Sequence, residues 1–148
     1  MNRRESAAMA IHAIPTLGLM LQGLLYVTTP TFMPYHSEAL GVTWEELPPH
    51  YQGFLLGVIK GMGAGSVAVT TALLIMLGIP FRRGQSWAHW AVPLVGVTFT
   101  VLTAYAALTI AWRTSASTPW LPTLGLVLLY MTGGLICYWP DRTSTRST

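Results

Sequence analysis

The chain has 148 residues, of which 52% are hydrophobic and 9% charged, and its formal net charge is +3. A soluble domain carries about 25% charged residues, so the composition argues against one, and no basic face of the kind nucleic-acid binding requires is present. Cys137 is the only cysteine, which excludes an internal disulfide and any Cys-x-x-Cys redox pair.

Four apolar stretches, residues 7–28, 51–79, 87–112 and 122–138, each approach or exceed the roughly 20 residues that cross a bilayer as a helix. They predict one all-α, polytopic membrane domain: a four-transmembrane-helix bundle with a short outer-surface helical turn and a polar tail, 139–148. Arg3, Arg4, Arg82, Arg83, Arg142 and Arg146 fall on one side of these spans and Arg113 on the other. Short Arg-rich segments stay inside, so the expected topology has both termini cytoplasmic and the 29–50 loop outside. The expected membrane is the bacterial plasma (inner) membrane. The tryptophans also sort to the span ends: Trp87, Trp90 and Trp139 inside, Trp44, Trp112 and Trp120 outside. Indoles prefer the headgroup level.

In the first stretch, Arg3 and Arg4 before an apolar run look like a signal peptide. However, the run is long and no small-x-small cleavage site follows before Pro30. It reads as the first span, with Pro15 near its start and Gln22 and Tyr26 in its outer half. In the loop that follows, Thr43-Trp44-Glu45-Glu46 has the spacing of a capping box. Its reciprocal bonds between Thr43 and Glu46 predict one helical turn, and Pro48-Pro49 then opens the next span.

Gly53, Gly57, Gly61 and Gly65 recur every four residues in the second stretch, beside Ala64, Ala68 and Ala72. Such a row admits a second backbone at close range, which predicts helix packing there, within the bundle or in a homo-oligomer. Lys60 is the only charge inside any of the four stretches. At 1.5 Å per residue the 51–79 stretch is roughly 43 Å long, against a hydrocarbon core of about 30 Å. Lys60 therefore either snorkels to the outer headgroups or is buried and paired, with Glu45 the better-placed acid. In both cases it lies at the level of Gln22, Tyr26 and Tyr105, and these five residues outline a candidate ligand pocket.

Arg82 and Arg83, with Trp87 and Trp90, make an inner segment suited to anionic lipid headgroups and equally to a topology anchor. His12 and His89 lie near inner span ends in similar settings, His12 with Pro15 and Gly18, His89 with Pro93 and Gly96. Two facing histidines at one depth are the arrangement that ligates a haem iron from both sides; otherwise no cofactor is predicted. His36 and His50 share the outer loop with Glu38, Glu45 and Glu46, but no spacing matches a metal motif, so no metal is expected.

The outer loop with Tyr35-His36, Trp44 and Glu45-Glu46-Leu47, the glycine-rich stretch with Lys60, then Pro80-Phe81-Arg82-Arg83-Gly84 and Trp87-Ala88-His89-Trp90-Ala91, resemble small uncharacterised bacterial four-helix membrane proteins. In size and topology the chain is also similar to the DoxX-like group. That second resemblance implies an accessory role beside respiratory-chain or quinone-linked oxidoreductases and carries over no catalytic residue.

No spanning stretch contains Asp or Glu, and no nucleophile–base set is visible. The leading expectation is a non-enzymatic accessory or structural subunit, in contact with membrane lipids and with a membrane protein partner or a second copy. The alternative is binding, with or without conversion, of a lipid, quinone or other amphiphile in an outer-leaflet pocket near Lys60.

Overall fold

The computed structural model describes residues 2–138, which form five α-helices. These are α1 (Arg3–Thr28), α2 (Pro34–Leu40), α3 (Pro49–Met76), α4 (Ser86–Thr114) and α5 (Trp120–Tyr138). Four of them are long and apolar enough to cross a membrane, and no strand occurs among the described residues. This is the pattern of a membrane protein. The polar tail 139–148, with Trp139, Arg142 and Arg146, lies outside the described residues.

α1 starts earlier than its apolar stretch because its first turn, Arg3-Arg4-Glu5-Ser6, is polar. Asn2 caps α1 by accepting the Glu5 amide at 2.8 Å, while the Glu5 carboxylate accepts the Asn2 amide at 2.9 Å. This is a full capping box, and it satisfies two otherwise orphaned donors. α3 does not stop at the end of its apolar run. It continues through a π-helical turn, Leu77–Phe81, in which Pro80 has no amide to give. Widened turns accommodate such a missing donor, and this one carries Phe81 into the core, fully buried.

Packing is uneven. α1 lies against both α3 and α5, α4 lies against α5, and α3 barely meets α4. The π-turn closes the α3–α4 gap at the N-terminal end of the bundle, and α2 leans on α4 at the other end. One core cluster, with Leu19, Leu73, Phe81, Val92 and Tyr130, fills the N-terminal end. A smaller one, Tyr26, Phe32 and Ile59, sits under α2.

The close helix contacts are not where the glycine row was expected to make them. A Cβ on Gly53, Gly57, Gly61 or Gly65 would meet nothing within 4 Å, and all four residues are exposed. The buried face of α3 is the opposite one: Ile59, Gly63, Ser66, Thr70 and Leu73. There, a Cβ on Gly63 would come within 2.8 Å of the Gly23 carbonyl oxygen and 2.9 Å of the Val27 nitrogen. The α1–α3 backbone approach thus belongs to the single pair Gly23 and Gly63. A four-residue repeat marks a face, but it does not say which way that face looks.

Candidate functional site

At the α2 end, the gap between α3 and α4 holds a cavity of about 380 Å³. α1 supplies Gln22 and Tyr26 as its back wall, α3 supplies Leu55 and Ile59, and α4 supplies Thr103 and Ile110. α2 roofs it with Tyr35, His36, Ala39 and Leu40. A second cavity of about 360 Å³ runs deeper, lined by Gly23, Ser66, Phe99 and Leu102. The two share Gln22, Tyr26, Met62, Thr103 and Ala106, so they form one path along the α3–α4 cleft.

The roof is held by identifiable bonds. The Tyr26 and Tyr35 hydroxyls hydrogen-bond to each other and tie α2 to α1. Burial, and then this bond, raise the Tyr35 phenol above its ordinary range. The Ser117 amide donates to the Glu38 carboxylate at 2.8 Å, which ties α2 to the α4–α5 connection. The Met33 amide donates to His36 Nδ1 at 3.0 Å, and burial lowers the His36 pKa. Both favour a neutral ring whose proton is on Nε2.

α2 is a feature that sequence reasoning missed. Its signals were present: Pro34 in the first turn and Gly41 as a left-handed C-cap, φ 69°. At Thr43–Glu46, half of the expected capping box forms: the Thr43 amide donates to the Glu46 carboxylate at 2.7 Å, holding that carboxyl below its usual range. The segment is a hydrogen-bonded turn rather than a helix, and Trp44 packs edge-on against Phe32 at 5.1 Å.

Of the five residues expected to outline a pocket, Gln22 and Tyr26 line the cavity. Lys60 and Glu45 do not: both are exposed, and neither bonds to a described residue. Lys60 lines neither cavity, whereas Gly65, the last of the glycine row, lines the deeper one. Tyr105 is 66% exposed on α4 and also points elsewhere. Residues that hydropathy hid as ordinary span positions, Thr103 and Ala106 among them, form the wall instead. The expected headgroup residues Arg82, Arg83, Trp87 and Trp90 are all exposed at the N-terminal end.

A second polar cluster is buried at that end. The His12 ring is fully buried, stacked on Tyr130 with centroids 5.8 Å apart and edge-on to Phe81 at 6.0 Å. It lies flat on Gly133, where a Cβ would come within 2.5 Å of it. Neither ring nitrogen has a partner among the described residues, and the same holds for His89 Nε2. The Thr16 hydroxyl donates to the His12 carbonyl at 2.7 Å, so at 2.8 Å it accepts from Tyr130. The His89 ring packs edge-on against Phe81, with centroids 4.7 Å apart. The two histidines weighed as haem ligands thus pack on one phenyl ring rather than across an open slot. Among the described residues no three His, Cys, Asp or Glu side chains gather as a metal site.

In comparisons with protein-family models, curated proteins and solved structures, none matches this chain.

Proposed function

We propose that the protein binds a membrane-resident amphiphile in the cavity between α3, α4 and the α2 roof. The observation that carries this reading is Gln22. Its amide is half-buried in the wall of both cavities and makes no hydrogen bond to any described residue. A polar group inside an apolar span is costly, and such groups commonly mark ligand pathways. A cavity of this size with apolar walls and few polar groups has the character of a small-molecule site.

The test is extraction of lipid from protein purified out of native membrane. One class of amphiphile, at about one molecule per chain, is expected with the natural sequence. Ala106→Trp, which fills the junction of the two cavities, should deplete it. Equal retention by Ala106→Trp would remove the cavity from consideration.

A second reading, an accessory subunit docked to a membrane partner or to its own copy, rests on a different face. The exposed row of Gly53, Gly57, Gly61 and Gly65 beside Lys60 leaves a backbone open to close approach from outside the bundle.

The orientation we propose is N-in and C-in, with α2 on the outer surface of the bacterial inner membrane, on the strength of the arginine asymmetry. In a Cys137→Ser background, an impermeant thiol reagent should label Ser37→Cys but not Ser144→Cys in intact cells. Labelling of Ser144→Cys alone would invert the topology.

A further inference from the structure

Resting on the amphiphile reading, we infer that the site selects a neutral headgroup bearing carbonyl oxygens, whose apolar tail leaves between α3 and α4. The wall holds both spent and unspent hydrogen-bonding groups.

The threonines have already committed their protons. Thr103 donates to the Phe99 carbonyl at 2.8 Å, Thr114 to Ile110 at 2.7 Å and Thr123 to Pro119 at 2.8 Å. Three other groups retain donors. Gln22 bonds to no described residue, which leaves its amide uncommitted among them. In the Tyr26–Tyr35 pair one hydroxyl donates to the other, which leaves the second proton unspent. His36 accepts the Met33 amide on Nδ1, so its neutral ring keeps an Nε2–H. A ligand that supplies acceptors satisfies this set, and a hydrocarbon does not.

Charge narrows the class further. Among the described residues, no Arg, Lys, Asp or Glu lines either cavity. A phosphate headgroup drawn beneath the roof would lose its hydration and gain no counter-charge, which is strongly unfavourable. A carbonyl keeps its acceptor strength without that cost. The tail has a defined exit. Below Gln22 the walls become Gly23, Met62, Gly65, Phe99 and Leu102, and Met62 and Leu102 are 52% and 63% exposed at the rim of the cleft.

Quinone rings and diacylglycerol esters share this chemistry, and the test separates them. Purified full-length protein in detergent would be titrated with decylubiquinone, dioctanoylglycerol and dioctanoyl phosphatidylglycerol, read by the ligand-dependent rise in unfolding midpoint. At least one neutral probe should bind more tightly than phosphatidylglycerol by about tenfold or more; which one says whether the head is a ring or an ester. Gln22→Leu should weaken the preferred probe by about tenfold. Gln22→Glu, nearly isosteric, should weaken it at least as much at a pH high enough to ionise the carboxyl, which then has no proton to donate. Both variants sit at a half-exposed position, and their unliganded midpoints report whether they fold. Phosphatidylglycerol binding as tightly as the neutral probes, or Gln22→Leu binding unchanged, overturns the inference and leaves the amphiphile reading standing. No binding of any probe, together with no co-purified amphiphile, overturns both.

Discussion

Gly63→Ala should lower the stability of the folded bundle by about 1–3 kcal/mol, and Gly133→Ala by a similar amount, while Gly57→Ala and Gly61→Ala should change it by less than about 0.5 kcal/mol. The contrast follows from what each added methyl would meet. At Gly63 it meets backbone, the Gly23 oxygen and the Val27 nitrogen, so a whole helix must move. At Gly133 it meets the His12 ring, which Tyr130 and Phe81 hold in place. At Gly57 and Gly61 it meets nothing within 4 Å. Thermal unfolding of the four variants in one detergent would measure this. Comparable losses at Gly57 and Gly63 would mean that the exposed row packs against something after all, and would favour the docked-subunit reading.

His12→Leu should raise the unfolding midpoint. A buried imidazole with no partner for either nitrogen among the described residues gives up its hydration without return, at a cost of about 1–3 kcal/mol. Leucine occupies a similar volume and has nothing to desolvate. Against this stand the ring contacts with Tyr130 and Phe81, worth about 0.5–1.5 kcal/mol, so the net gain should be on the order of 1 kcal/mol. Tyr130→Phe is the control, because it removes only the donor to Thr16, whose own proton remains bonded to the His12 carbonyl. Its loss should stay near 1 kcal/mol. A fall in midpoint for His12→Leu larger than that for Tyr130→Phe would show that the imidazole is held by more than packing.

The four long apolar helices were legible in the sequence because length and hydropathy are properties of each helix alone. Which face of each helix looks inward was not. In a soluble bundle an apolar stripe marks the core, but lipid is as apolar as a core, so spans are apolar on every side. Leu102 and Leu19 read alike, yet one is 63% exposed and the other fully buried. The regular repeat at Gly53–Gly65 drew attention, whereas Gly23, Gly63, Gly96 and Gly133 stand in no repeat and make the close approaches. A Cβ on Gly96 would run into the Tyr130 ring. Gln22 and Tyr26 were recognisable because polar groups stand out in a span. Lys60 stood out for the same reason, and its outward direction is a matter of helical phase, which its identity does not encode.

The sparse meeting of α3 and α4 has a mechanical consequence. The two helices are joined at one end by the Leu77–Phe81 turn and are free of each other toward the other end, like the arms of a clothes-peg. In water, an apolar cleft of this kind would be pressed shut. In a bilayer, closing it exchanges lipid contacts for protein contacts with little net drive. The resting gape is then set by the stiffness of the hinge and by the sideways squeeze of the surrounding acyl chains. Thicker or more tightly packed bilayers should pinch the arms, and thinner, more disordered ones should let them spread.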